Sequence, residues 1–244
     1  MAIEVFNRYE HKYLINLHQF DIIKRLVEQY MVLDAYNKNY EPYTISNLYF
    51  DTTDDFLIRT SLGKPKYKEK LRMRAYGIPK ADAHVFLEIK KKFNGLVNKR
   101  RTELKLGEAY EFVKSKKAPK LKPYMNVQVL HEIEYFMSCY ELSPKVYIAY
   151  DRIAYFDRAD ADLRISFDFN IRSRRHDLAL ESGDVGSPLL PGTMCLMEIK
   201  TATAKPLWIT HMLASLDIAR TSFSKYGTEF KHSLENNNGF YMAI

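Results

Sequence analysis

Cysteine is almost missing from this chain: Cys139 and Cys195 are the only two among 244 residues, they stand far apart, and no C-x-x-C pattern occurs. A disulfide framework and a cysteine-rich zinc site are thereby excluded, and a reducing, cytoplasmic setting is expected. Glycine and proline are sparse, nine of each, which rules out collagen-like and low-complexity architectures. Long apolar runs are lacking as well: no window of about 18 apolar residues exists, so no transmembrane segment is expected. The opening stretch MAIEVFNRYEHKYLI carries Glu4, Arg8, Glu10 and Lys12 before any apolar run, the reverse of a secretory signal.

What is present is core material and positive charge. With 46% hydrophobic and 14% aromatic residues, the chain can bury enough apolar surface to fold as a whole. Its length suits one large domain, placed at residues 1–234, with a flexible tail at 235–244. Lys and Arg number 37 against 30 Asp and Glu, a formal charge of +7, which favours anionic partners such as nucleic acid, nucleotides or a phosphate polymer. The 18 tyrosines serve either as stacking platforms for bases or as core and rim filler; their location in the fold decides.

Periodicity sets the elements. Arg8 to Ile15 reads as a strand, and Leu17, Phe20, Ile23, Leu26, Val27 and Tyr30 recur at the spacing of an amphipathic helix over 17–30. TISNLYFDT reads as an apolar strand, followed by a polar turn at Thr52 to Asp55 and a short helix from Phe56 to Ser61. Lys68 to Tyr76, Val85 to Lys92 and Asn98 to Leu106 alternate strongly and predict an antiparallel meander. Helices are expected at Glu108 to Lys116, Met125 to Tyr140 and Trp208 to Ala219, and strands at Lys145 to Phe156, Leu163 to Ser173 and Met194 to Thr201. KKAPKLKP and Arg174 to Gly192 read as exposed loops, and SFSKYG closes on a glycine. The sum is an α+β fold: a closed antiparallel β-barrel of about eight strands with helices packed outside.

Alternate residues of a strand share a face, and charge keeps to one parity here. Lys68, Lys70, Arg72 and Arg74 oppose Leu71, Met73 and Ala75; Glu88, Lys90 and Lys92 oppose Leu87 and Ile89; Arg8, Glu10 and Lys12 repeat the scheme. Lys99, Arg101, Glu103 and Lys105 stand opposite Thr102, Leu104 and Leu106, while Tyr150 goes with Arg152, Arg164 with Ser166 and Asp168, and Glu198 with Lys200. An ordinary sheet with one solvated face also alternates. Repeated over six strands the pattern implies more, because like charges side by side destabilise a sheet. If helices cover the apolar face, the charged face points into the barrel, where a row of Lys and Arg calls for a bound polyanion. Arg grips two phosphate oxygens at once, and Lys adds a movable point charge. Glu10, Glu88 and Glu198 are either ion-pair partners of these bases or hard-oxygen ligands for Mg²⁺ or Mn²⁺, with Glu198 the first choice for a metal.

The motifs RYEHKYL, NLYFDT, KLRMRAYG, FLEIKKK, YDRIAY, LRISFD, LMEIK and SFSKYGTEF follow one another in this order between Phe6 and Phe230. Together they resemble the VTC domain, the polyphosphate polymerase module of the vacuolar transporter chaperone complex, within the triphosphate tunnel metalloenzymes. The resemblance implies an antiparallel tunnel barrel that binds triphosphate inside. It implies Lys12, Arg72, Arg74, Lys90, Arg152, Arg164 and Lys225 as catalytic phosphate ligands. Arg8, Lys70, Tyr150, Lys200 and Ser224 join them as expected substrate-binding groups, with Arg101, Lys99 or Glu103 in the slot of the KRR run. Glu198, with Glu10 and Glu88, would hold Mn²⁺ or Mg²⁺. Where many tunnel relatives read E-x-E-x-K, the first strand here reads E-H-K, so fewer acidic metal ligands are expected. The chain opens almost directly on the first motif, so neither an inositol-pyrophosphate-sensing domain nor membrane helices are expected in it.

The activity implied is transfer of the γ-phosphoryl of ATP to phosphate or a growing polyphosphate chain. The acceptor is already an anionic oxygen, so positioned charge and a metal suffice and no strong base is needed. The seven histidines accordingly read as structural or surface residues. The rivals are a metal-dependent triphosphatase or nucleotidase with water as acceptor, and a non-catalytic polyanion-binding barrel. Nucleic acid is not expected as partner, because glutamates interrupt the bases; a membrane partner that receives the product stays open.

Overall fold

The computed structural model describes residues 5–160 and 162–241, with side chains described over 9–160 and 162–235. Strand β1 (Val5–Asn16) runs straight into helix α1 (Leu17–Tyr30), and Asn16 makes the junction. Its side chain accepts from Gln19 N at 2.8 Å while Gln19 Oε1 accepts from Asn16 N at 3.0 Å, a reciprocal cap that satisfies two amides left open by the first helical turn. After β2 (Met31–Leu33) come β3 (Tyr43–Asp51), α2 (Phe56–Leu62) and the meander β4 (Tyr67–Tyr76), β5 (His84–Phe93) and β6 (Leu96–Lys105). Helices α3 (Leu106–Ser115) and α4 (Val127–Cys139) lead to β7 (Ser143–Asp157) and β8 (Arg164–Arg174). Then follow β9 (Ser187–Pro188), β10 (Met194–Thr201), α5 (Leu207–Ser215) and α6 (Lys225–Tyr241).

All pairings are antiparallel, in the order β2-β7-β3-β4-β5-β6-β1-β10-β8-β9, and β8 also pairs with β7. Each of the eight long strands therefore has a partner on both sides, and the pairings return to the strand they started from. The two short strands, β2 and β9, are additions to the eight expected.

Helices cover the apolar parity. Leu71, Met73, Val85, Leu87, Ile89 and Leu104 pack against Phe112 of α3 and Leu130, Ile133 and Phe136 of α4. Tyr13, Ile15, Ile165, Phe167, Met197 and Ile199 pack against Phe20, Ile23 and Val27 of α1 and Ile209 and Met212 of α5. The charged parity is left facing the interior. A third cluster, with Ile148, Ile171 and Leu196 from that inward parity, joins Tyr226 and Phe230 of α6 and fills one part of the interior with apolar side chains.

Four expectations need correction. The helix expected to run to Ala219 ends at Ser215, and Asp217 turns to positive φ (49°). SFSKYG does not close an element; Lys225 begins α6, and Gly227 lies in its first turn. A Cβ at residue 227 would stand 3.1 Å from Leu62 Cδ2, so the glycine serves close approach to α2. Helix α6 also runs on to Tyr241, into the segment expected as a tail. The segment from Arg174 to Gly192, expected exposed, buries Leu180 and Leu189. Arg174 lies 3.6 Å from the centre of the Tyr147 ring and donates to the carbonyls of Asp177, Ala179, Gly183 and Val185. There, too, a Cβ at Gly186 would meet Ser173 O at 2.6 Å.

Asp51 joins α2 and α6 to the sheet. Its carboxylate, 0% exposed, accepts from the amides of Thr52, Leu57 and Ile58 and from the Tyr226 hydroxyl at 3.0 Å. Asp51→Ala leaves these donors unpaired and is expected to cost at least about 2 kcal/mol in urea unfolding, against about 1.5 kcal/mol for Tyr226→Phe, which removes one bond. Equal midpoints for Asp51→Ala and the parent would refute the joint.

Candidate active site

Inward residues of all the long strands, together with the segment leading into α6, line one cavity of about 1330 Å³. It brings together Lys12, Arg72, Arg74, Lys90, Arg152, Arg164 and Lys225, and with them Lys70, Arg101, Tyr150, Lys200, Ser224, Glu10 and Glu198. Both Lys99 and Arg101 of the KRR run reach it, whereas Glu103 binds His84 at 2.5 Å. Glu88 lies beneath the lining at 0% exposure. The Arg8 backbone pairs with Val97 in the sheet, and its side chain lies outside the described residues.

Register explains the convergence. Lys70 stands opposite Lys90 and Arg72 opposite Glu88 across β4 and β5; Glu10 stands opposite Lys200 and Lys12 opposite Glu198 across β1 and β10. Arg72 clamps Glu88 through Nε (2.8 Å) and Nη2 (2.6 Å) and reaches the Tyr49 hydroxyl at 3.1 Å; Lys99 adds a contact to Glu88 at 3.4 Å. Arg74 donates to Asn47 Oδ1 and the Tyr150 hydroxyl, each at 2.9 Å. Arg152 forks onto Asp168 at 2.6 and 2.8 Å, and Lys225 meets the same carboxylate at 2.5 Å. Glu198 is ringed by Lys200 (3.1 Å), Lys12 and Lys225 (3.4 Å each) and Arg152 (3.6 Å); Glu10 holds Lys90 at 3.2 Å and Lys12 at 3.3 Å.

Three residues here were missed in the sequence, whereas Lys99, held there as an alternative to Arg101, reaches the cavity beside it. Asp168 shares the parity of Arg164, a usable signal. Asn47 and Tyr49 lie in a strand that reads as apolar, and only the register shows them aimed at Arg74 and Arg72.

The electrostatics are those of a cation array held by a minority of acids. Burial pushes the carboxyls of Glu88 and Glu198 up, but their basic neighbours more than reverse it and hold both well below the usual carboxylate range: Lys99, Arg74 and Arg72 for Glu88, and Lys225, Lys200, Lys12 and Arg152 for Glu198. Lys70 is the counterexample. Among the described residues it has no acid within ion-pair distance, and its ammonium lies 5.5 Å from the centre of the Tyr226 ring. Burial, then Lys90, Lys12 and Lys68, lower it to about 7. Burial likewise lowers Lys200, to about 8, despite Glu198 and Glu10. Among the described residues Lys70 lacks a charge to neutralise it, and Lys200 shares Glu198 with Lys12, Lys225 and Arg152.

A metal site made by protein alone is not evident: no group of three or more His, Cys, Asp or Glu could hold an ion among the described residues. The carboxylates of Glu10 and Glu198, ion-paired but lining the cavity, are the ones that would offer hard oxygens to a divalent ion brought in on phosphate. Glu88 does not fit this use, since its 0% exposed carboxylate is occupied by Arg72 and Lys99; the expectation of a third metal carboxylate gives way to an anchor for the arginine.

The VTC domain family model matches residues 7–233. Subunit 4 of the vacuolar transporter chaperone complex of Trypanosoma cruzi is 24% identical over 268 residues, covering 91% of this chain; the chain spans 34% of that protein's length. A Bacillus halodurans protein provisionally designated an adenylate cyclase shares the fold, with a TM-score of 0.55 at 15% identity over 91% of this chain and 96% of its own. A Hippeastrum protein described as having a dominant triphosphatase activity aligns over 92% of this chain and 93% of its own, at 14% identity and a TM-score of 0.47.

Lys70 gives a pH test. It titrates near 7 in the folded chain and near 10.4 when unfolded, so between these values the unfolded state binds more protons and stability rises with pH. Relative to Lys70→Met, the ligand-free protein is expected to gain stability from pH 7 to about 10, and the variant to be the more stable at pH 7. The variant is expected to bind tripolyphosphate about tenfold or more weakly, through loss of a charge-assisted contact. Urea unfolding across pH and calorimetric titration check both; a less stable variant with unchanged affinity would contradict them.

Proposed function

The chain belongs to the VTC domain family, and from that premise we propose that it is a polyphosphate polymerase that transfers the γ-phosphoryl of ATP to phosphate or to a growing polyphosphate chain inside a closed tunnel barrel. The observation that carries the reading is the convergence, on one cavity, of Arg72, Arg74, Lys90, Arg152 and Lys225 with no histidine or cysteine among the described lining residues. Phosphoryl transfer to an anionic oxygen through a loose transition state needs alignment and charge dispersal more than a base or a nucleophile. The arginines arrive already oriented, by Glu88, Asn47, Tyr150 and Asp168, so little ordering remains to be done when substrate binds.

The lysines supply adjustable charge along the phosphate chain. Lys12 and Lys200 flank Glu198, and Lys225 and Ser224 approach from the start of α6. Mn²⁺ or Mg²⁺ carried on the triphosphate would be held by Glu198 with Glu10 and would neutralise developing charge on the phosphate oxygens. The substrates are accordingly ATP and inorganic phosphate or polyphosphate. Among the described residues no helix is long and apolar enough to cross a membrane, and the Trypanosoma cruzi relative is a subunit of a complex. A separate membrane partner that receives the chain, with this protein on the cytoplasmic side, fits both facts.

Incubation with ATP and Mn²⁺ is expected to yield a ladder of acid-labile chains on a gel; orthophosphate as the sole product would identify a hydrolase and sink the polymerase. Glu198→Gln is expected to lose metal-dependent turnover. Arg74→Lys keeps the charge but loses the bridge between Asn47 and Tyr150, and is expected to lower kcat at least about tenfold. Arg72→Ala strands the buried Glu88 carboxylate, so it is expected to lower the unfolding midpoint as well as turnover; full activity in either arginine variant would refute these roles.

A further inference from the structure

The cavity lining differs in chemistry between its two ends. On β4 the inward residues run Lys68, Lys70, Arg72, Arg74, Tyr76, so the ends of that row lie roughly 26 Å apart at strand rise. At the Lys68 end the rim carries Lys64, Lys66, Lys92, Arg220 and Lys231. At the Tyr76 end it carries aromatic rings. Tyr36 and Tyr76 stack with centroids 5.3 Å apart and planes 8° from parallel; Tyr43 leans on both at 5.7 and 6.0 Å, and Phe86 meets Tyr76 edge-on at 6.0 Å.

These rings are not core filler: Tyr36 is 62% and Tyr76 38% exposed. Nor is Tyr36 a loose loop residue. Asp34 Oδ1 accepts from its amide at 3.1 Å, and the next residue, Asn37, is buried and bonds Arg152 O at 2.8 Å and Ala154 N at 3.0 Å. The turn that presents Tyr36 is thus fastened to the strand that supplies Arg152. Holding exposed parallel rings beside a phosphate-binding row suits a ligand with a flat aromatic group joined to a phosphate chain.

We propose that the tunnel is polar: the base of the nucleoside triphosphate stacks on the Tyr36–Tyr76 pair, and the phosphate chain points through the arginines and leaves past the lysine rim. This rests on the nucleotide-using reading above and adds to it the seat of the nucleoside and the direction of growth. Stacking tolerates any base, so the collar favours nucleotides over bare triphosphate without selecting adenine. A chain that emerges between lysines meets Lys64, Lys66, Lys92, Arg220 and Lys231, whereas the aromatic end offers it two arginines, Arg101 against Phe86 and Arg164 against Tyr43, the latter already paired with Asp34.

The test is calorimetric titration of the whole chain with ATP, tripolyphosphate and long-chain polyphosphate. Tyr36→Ala and Tyr76→Ala are expected to weaken ATP binding about 5- to 150-fold and leave tripolyphosphate unchanged, and Tyr36→Phe to keep parental affinity for both. Lys64→Ala combined with Lys66→Ala is expected to weaken long-chain polyphosphate and spare ATP. The inference is overturned if the tyrosine variants weaken both triphosphates alike or neither, or if the lysine pair weakens ATP as much as the long chain. A purely hydrolytic product would remove the polymerase and leave the base-stacking comparison standing, so the two failures are distinguishable.

Discussion

Like charges resist being enclosed together, and this molecule encloses more than a dozen basic side chains. Four carboxylates, Glu10, Glu88, Asp168 and Glu198, make that possible. Each is shared by at least two cations, and each stays charged because those cations outweigh the penalty of burial. The acids do not neutralise the cavity. They hold the arginines in place and leave lysines such as Lys70 with unmet demand for anion.

That division of labour ties fold to chemistry. Arginines bonded to a buried carboxylate or amide have already lost their rotamer freedom during folding, so oriented charge is in place before substrate arrives. On the proposed function, lysines with lowered proton affinity would regain a partner charge when phosphate enters, and the ligand would relieve a cost that the free protein carries. Helices α1, α3, α4 and α5 matter to this because they cover the apolar parity and turn the other parity inward.

Much of this was legible in the sequence because parity is a local property. KEKLRMRAY and FLEIKKK alternate so regularly that a single covered face implies the other, and the basic residues that those strands turn into the cavity can be named without coordinates. What could not be read was register. Nothing in the order of residues says that Arg72 faces Glu88, so the glutamate passed as a metal ligand when its place across the sheet makes it the arginine's anchor. Asn47 and Tyr49 were hidden for the same reason, inside a strand whose apolar neighbours dominated. Helix α6 was missed because Gly227 reads as a terminator, whereas it sits in the first turn of the helix, close against Leu62. The aromatic end joins Tyr36, Tyr43 and Tyr76 from a turn and two strands, a meeting that only the fold can disclose.

The central claim is that these basic side chains share an enclosed space which a phosphate chain fills. Lysine acylation footprinting, read by mass spectrometry with and without tripolyphosphate, addresses it residue by residue. The account expects Lys12, Lys70, Lys90 and Lys200 to be protected by the ligand while Lys114 and Lys117, exposed near the end of α3, react unchanged. Equal reactivity of both sets, with and without tripolyphosphate, would contradict it.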